Sequence, residues 1–595
     1  MISGRLNRMT MAMVMAIGAC FWVLGAGSVS AQNVTAERLA NSDKEPQNWI
    51  NHHGNLGAQR FSGLKEINTT NVSKLKMAFT YAIGGAGGGG KELIVFPFSG
   101  LEGTPIAENG FLYLTNGWGT VIKIDVHKGV PEFVWAYDPK PDKDYAPTVT
   151  CCGINNRGVA LSGELVFDAV IDGRMVALNK KDGSVVWERQ VADPGVAEVF
   201  TGAPLVVKDM VLTGMAGAEF GIRGWVEAMN VSDGKRVWRT YTIPAPGEPG
   251  SETWKDGYEA WKTGGGSTWV TGSYDPQMNL VVWGVGNPGP DWDNEYRPGD
   301  NLYTDSTIGM DADTGAIKWH FQHTPNDPYD YDSISENTFV DTTIKGKKVK
   351  ATLHANRNGF AYAVDRGTGE YLWGTAFVKK VTWTPGLDAK GRPANYDPNS
   401  DVQRYAAGTS PHRPKVPGVS CPGNMGGKNW PPTAYNPQTN YYYIPVIESC
   451  NTMANEIMKP GEWKARGFFL GGGPSQHERI TGSLTAIDVS TGKVAGKYET
   501  KFPLLGGVLT TAGGLVFTGL AGGEVVALDA KSLKELWRFP TGSGINAPPM
   551  SYSVDGKQYI AIEVGLGGAW PQWFDDSTPE LKKMRPSNVL YVFSL

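Results

Sequence analysis

Cys151 and Cys152 are adjacent in the run Thr150-Cys151-Cys152-Gly153-Ile154-Asn155-Asn156-Arg157-Gly158. Neighbouring Cα atoms lie about 3.8 Å apart across a trans peptide, short of the usual ~4.4–6.8 Å span of a disulfide, so bonding this pair closes a strained ring. Strain of that kind is commonly held at a functional site. The alternative is two separate cysteines, each reduced or paired elsewhere. Cys421 and Cys450 bring the cysteines beyond Cys20 to four, which allows three connectivities. The short gap between Cys421 and Cys450 favours that pair and, with it, the adjacent one.

The compartment bears on this choice. Arg5 and Arg8 precede a mostly apolar run from about Met9 to Gly27, followed by Ser28-Val29-Ser30-Ala31. Residues 1–31 therefore read as a cleavable secretory signal, with export to an oxidising compartment. A membrane anchor is the competing reading, because the run approaches spanning length. No later segment is long and apolar enough to span. The segment holds two of the 55 basic residues and none of the 59 acidic ones, so the mature chain carries a formal net charge of −6. That balance argues against nucleic acid as a partner.

The elements that must position any site are repeats. An apolar strand-like stretch, an Asp or Asn, a short Gly-containing turn and then a Trp recur, as in Val176-Ala177-Leu178-Asn179-Lys180-Lys181-Asp182-Gly183-Ser184-Val185-Val186-Trp187. Copies end at Trp135, Trp187, Trp238, Trp319, Trp373 and Trp537, and a seventh, Thr485 to Ala495, has Ala in place of Trp. Asp and Gly make the hairpin turn and the aromatic wedges one sheet against the next. Seven copies at this spacing predict an all-β, radially repeated array of four-stranded sheets. An eighth sheet is expected from Lys74–Ile83 and Asn588–Leu595, closing the ring between the two ends. A β-sandwich array is the structural alternative. No domain boundary is evident within 32–595, and the long irregular stretches at 244–266, 384–430 and 448–477 read as functional loops on one face.

With the repeats and the Cys-Cys run together, the chain resembles the quinoprotein alcohol dehydrogenases, exported enzymes that use pyrroloquinoline quinone (PQQ), over essentially its whole mature length. The resemblance implies an eight-bladed propeller, a Cys151–Cys152 disulfide against one face of the planar cofactor, and Trp269, in Gly264-Gly265-Gly266-Ser267-Thr268-Trp269, against the other. It further implies cofactor contacts from Glu102, Arg157, Thr201, Ser267, Arg357 and Asn429. Arg157 is of the type that grips a carboxylate with two hydrogen bonds. The metal ligands implied are Glu219, Asn287 and Asp330, with Asp330 also the base that takes the alcohol's hydroxyl proton. Hard oxygen donors call for a hard cation.

Asp332 bears on which cation. In an extended segment residues two apart face the same side, so Asp330 and Asp332 can both reach one ion. Members that use lanthanides carry Asp at this position, whereas calcium members usually have a small or uncharged residue. A further carboxylate is better matched by a trivalent ion. The expectation is a lanthanide held by Glu219, Asn287, Asp330 and Asp332, with calcium as the alternative. Two departures from the family pattern are Leu505, where Trp commonly precedes Gly506-Gly507, and Gly153, where the residue after the cysteine pair is commonly acidic.

Other signals are weaker. Gly85 to Gly90 satisfies G-x-G-x-x-G, but the strand-like run after it rules against a nicotinamide site, and the segment is expected to be a flexible loop. His52-His53 and the pair His320 and His323 carry no zinc pattern. The basic cluster Lys345-Gly346-Lys347-Lys348-Val349-Lys350 reads as a solvated hairpin turn. No Cys-x-x-Cys-His occurs, so electrons must pass to a separate carrier, which the resemblance implies is a soluble cytochrome c. The expected activity is oxidation of primary alcohols to aldehydes. A non-catalytic propeller scaffold is the competing reading, and the sequence leaves open whether the chain dimerises.

Overall fold

The computed structural model describes residues 33–91, 94–257, 259–476, 479–569 and 577–595. The expected signal segment, 1–31, lies outside them. Residues Val34–Leu595 form one compact unit. Among the described residues there are seven four-stranded sheets and one five-stranded sheet. Seven of these eight sheets follow one another along the chain at residues 106–137, 160–190, 205–241, 273–322, 338–376, 434–500 and 508–540. The eighth combines Met550–Val554, Lys557–Val564 and Val589–Ser594 with Lys76–Ala82 from the other end of the chain. Lys76 pairs with Ser594 and Ala82 with Val589, so the two ends are hydrogen-bonded within one blade.

The repeated turn explains how the blades dock. Asp311 Oδ1 accepts the backbone N–H groups of Asp313 and Thr314 (3.0 and 3.1 Å), and Gly315 closes the turn at φ +73°. The preceding blade's Trp238 lies on that glycine and donates its indole N–H to the Ala312 carbonyl at 3.1 Å. A Cβ at Gly315 would sit 2.6 Å from the indole. Glycine is thus required twice, for its backbone conformation and for the approach of the ring. The same contact joins Trp135 to Gly183, Trp187 to Gly234, Trp319 to Gly369 and Trp373 to Gly492. Trp537 closes the series by donating to the Leu75 carbonyl (3.1 Å) beside the shared blade.

The repeat that lacks its Trp carries a matching change. Ala495 precedes a turn in which Leu533, at φ +56°, takes the place of the glycine. Leu533 is buried, and its Cδ1 approaches Gly496 in the blade that lacks the indole. A left-handed leucine costs about 1 kcal/mol of backbone strain, which its burial offsets.

One expectation needs correcting. Gly87–Lys91 is a strand of a two-stranded hairpin with Ile94–Phe98, not a loop. A Cβ on Gly88 would collide with the Phe96 carbonyl, and one on Gly89 with the Lys143 carbonyl and Trp118. The glycines thus serve close packing. Lys345 and Gly346 do form the hairpin turn between Thr338–Ile344 and Lys347–Ala355. The long loops build a small sheet of Gly418–Ser420, Asn451–Asn455 and Gly472–Gln476, and a Cys421–Cys450 disulfide ties its base.

Candidate functional site

These loops and the blade connections enclose a cavity of about 560 Å³. Nine of the residues singled out in the sequence are on its wall: Cys151, Cys152, Arg157, Thr201, Glu219, Trp269, Asp330, Arg357 and Asn429. Cys151 and Cys152 are bonded to each other. Their sulfurs lie 3.1 and 3.8 Å from Glu219 Oε1, contacts in which neither sulfur has a hydrogen to donate and neither is a thiolate able to bind a metal. Glu102, Ser267, Asn287 and Asp332 are buried next to residues of the wall.

On one side, Arg157 meets Glu102 at 2.6 Å and donates to the Thr201 carbonyl at 2.8 Å. Its guanidinium also lies 5.0 Å from the centre of the Trp269 ring. Burial raises the pKa of Glu102, and the arginine pulls it back. Arg157 Nε and Thr201 Oγ1 are buried without a hydrogen-bond partner among the described residues. Unpartnered groups of this kind beside a disulfide and an indole suit a flat, anionic guest.

On the other side, Arg357 joins two acids. Its Nη1 lies 3.2 Å from Asp330 Oδ1 and its Nη2 2.6 Å from Asp332 Oδ2. Asp330 is left-handed at φ +63°, so the segment is not the extended one expected from sequence. Both carboxylates still converge, because the arginine bridges them. Asp332 also accepts the Asn287 backbone N–H at 2.8 Å and the Trp269 indole N–H at 3.2 Å. Gly286 makes room for this, since a Cβ there would lie 2.2 Å from Asp332 Oδ1 and 2.9 Å from Ser267 Oγ.

Electrostatics define what the region can hold. Glu219, Asp291, Asp305, Asp327, Asp330 and Asp332 act on one another within reach of two buried guanidiniums, Arg297 and Arg357. Six acids against two cations leave a formal excess of four negative charges. Burial pushes the carboxyl of Glu219 up to about 7, helped by the charge of Asp332. Burial likewise lifts Asp330 well above its ordinary range, against the pull of Arg357 and with Asp332 adding to the rise. Burial opposes the charge on Arg357, but Asp332 and Asp330 outweigh it and raise its pKa. Asn287 Oδ1 is buried and meets no donor among the described residues. Hard oxygens with excess negative charge and an unpartnered amide oxygen fit a hard cation.

Asp291, Trp292 and Trp430 also line the cavity and were missed in the sequence, as were the buried Asp305 and Asp327. The available signal was the density of acids in 291–305, a segment without strand alternation. Leu505 is absent from the wall and packs in the hydrophobic cluster that contains Trp269 and Trp430. His53 is buried and meets the half-buried His52 edge to edge at 4.4 Å. His323 is buried against Thr307 Oγ1 at 3.1 Å.

The propeller and this cavity define a PQQ-dependent class of oxidoreductase, and the chain belongs to the quinoprotein alcohol dehydrogenase family. The family described as "Glucose/ethanol/alcohol dehydrogenase, beta-propeller domain" matches residues 49–381 and 478–560. The chain is 36% identical over 601 residues to quinoprotein alcohol dehydrogenase PedH of Pseudomonas putida, covering 96% of this chain and 95% of that one. It is 33% identical to the lanthanide-dependent methanol dehydrogenase of Methylacidiphilum fumariolicum, covering 93% and 90% of the two chains. A europium-containing methanol dehydrogenase superposes with a TM-score of 0.84 at 32% identity, over 94% of this chain and all of the other.

Proposed function

We propose that this PQQ-dependent alcohol dehydrogenase is a periplasmic, lanthanide-dependent enzyme that oxidises primary alcohols to aldehydes and passes electrons to a cytochrome c. The formal excess of four negative charges in this cluster, which burial opposes unless a cation compensates it, and the unpartnered Asn287 Oδ1 together carry the metal assignment. A trivalent ion compensates that excess further than a divalent one. Glu219, Asn287, Asp330 and Asp332 hold the ion. Cys151, Cys152, Trp269, Arg157, Thr201, Ser267, Glu102, Arg357 and Asn429 are the residues that would hold the quinone. The bound quinone accepts two electrons and the ion supplies Lewis acidity.

The chain's own groups do the rest. Asp330, on the cavity wall and held by Arg357, takes the alcohol's hydroxyl proton. Arg357 fixes that carboxylate through Oδ1 and the backbone carbonyl. Phe468, Leu470 and Trp292 add apolar surface to the cavity. The absence of a haem-attachment motif supports a separate one-electron carrier.

A calcium reading has one observation in its favour: three donors already occupy Asp332, so it can be satisfied without an ion. Dye-linked oxidation of ethanol by apo-protein supplied with PQQ and either lanthanum or calcium decides between the two. Turnover with lanthanum alone is expected. Turnover with calcium alone transfers Asp332 to a supporting role, and no turnover with no retained quinone absorbance returns the scaffold reading.

A further inference from the structure

Asp291 stands on the cavity wall with Asp330, 1% exposed, and neither of its carboxylate oxygens meets a donor among the described residues. Asp330 is the charged group that acts on it most strongly. The nearby cation does not pair with its carboxylate: Arg297 donates instead to the backbone carbonyls of Pro290, Asp291 and Asp327 and to Asn301 Oδ1. These bonds, with that from the Trp292 N–H to the Leu470 carbonyl (3.0 Å), pin the backbone that carries the acid. Trp292 lines the same cavity, and its indole N–H is also buried without a partner among the described residues. Leu470 packs with Trp292, and Phe468 and Pro474 add apolar surface elsewhere on the cavity wall. Two unpartnered polar groups of opposite sense, an acceptor and a donor, thus stand next to each other in sequence on the cavity wall. Buried groups left unpaired in this way select ligands that pair them.

We propose that Asp291 and Trp292 recognise a second hydroxyl on the substrate, making the preferred alcohols vicinal diols or larger polyols. This rests on the dehydrogenase reading above, in which Asp330 contacts the reacting hydroxyl. A hydroxyl on the adjacent carbon donates to Asp291 and accepts from the Trp292 indole N–H. An ammonium group offers donors only, and a methyl group offers neither. The chemistry of the reacting carbon is unchanged, so the device sets specificity without altering the proton or electron balance.

Ethylene glycol and 1-propanol differ by one hydroxyl in place of one methyl and make a matched pair, with ethanolamine as a cationic control. Reconstituted holoenzyme is expected to give a kcat/KM ratio of glycol to propanol about tenfold higher in the wild type than in Asp291→Leu or Asp291→Ala, the loss expected when a buried hydrogen-bond acceptor is removed. An equal fall for both alcohols overturns the proposal and moves Asp291 into the shell of the ion. Preference for ethanolamine overturns it in favour of a cation site. Saturation-transfer NMR of the same three compounds on the purified proteins reads binding without turnover. If no alcohol is oxidised, the dehydrogenase reading fails, while glycol signal present in the wild type and lost in both variants still supports the diol site. Equal signal in all three proteins refutes it.

Discussion

Asp332→Asn isolates the charge on which the metal assignment depends. The replacement is isosteric, and its retained carbonyl can still accept the Asn287 N–H. What changes is one unit of charge and the acceptor shared by Arg357 Nη2 and the Trp269 indole N–H. The excess of negative charge in the cluster falls from four to three. Taking about 5 Å, longer than direct ligation would give and so a lower bound, in an effective dielectric of about 20, the difference between a trivalent and a divalent ion acting on one carboxylate is about 3 kcal/mol. Converted at about 1.4 kcal/mol per tenfold, the lanthanide-to-calcium affinity ratio should drop by roughly a hundredfold. Terbium luminescence sensitised by the indole of Trp269, titrated directly and by calcium competition, measures that ratio without turnover. A ratio unchanged in Asp332→Asn but lowered in Glu219→Gln would refute the reasoning, because it would place Asp332 outside the reach of the ion.

Asp330→Asn keeps the geometry beside Arg357 and removes the proton acceptor, so alcohol turnover should fall by about 10²–10⁴-fold with quinone absorbance retained; full turnover would displace Asp330 as the base. Glu563 is buried beside Gly103, and burial pushes its carboxyl up to about 8, only partly offset by the Gly103 backbone N–H. Because the folded state holds that proton to a higher pH than the unfolded state, stability is lost as pH rises from about 4.5 through 8. Glu563→Gln should flatten this slope by an amount on the order of 4 kcal/mol, read from urea melts at pH 5 and pH 9. Ala495→Trp alone should destabilise, because Leu533 occupies the place where the other repeats put a glycine, whereas Ala495→Trp with Leu533→Gly should recover at least part of the loss. Denaturation of the four-variant cycle should give a coupling of about 0.5–3 kcal/mol, and simple additivity would remove the claim that the two positions compensate.

What the sequence makes legible here follows from the range of each interaction. The blades are written locally: an Asp or Asn, a left-handed Gly and a Trp lie within about a dozen residues, so the turn and the docking surface can be read without knowing the ring. Even the exception is local, since Ala495 and Leu533 are one blade apart. The cavity wall is legible for a different reason, because residue types as specific as an adjacent cysteine pair or an Asp-x-Asp beside tyrosines have few structural uses. Asp291 has no such signature. Its importance comes from what it lacks, a donor for either oxygen, and that depends on Arg297 being committed to backbone carbonyls from three separate positions. Likewise, the left-handed turn at Asp330 replaces the strand alternation that sequence suggests, yet Asp330 and Asp332 still meet because Arg357 arrives from another blade. Local patterns therefore fix the frame and the chemistry of single side chains, while the balance of charge in the site, which chooses the ion and the substrate, exists only after distant segments have been brought together.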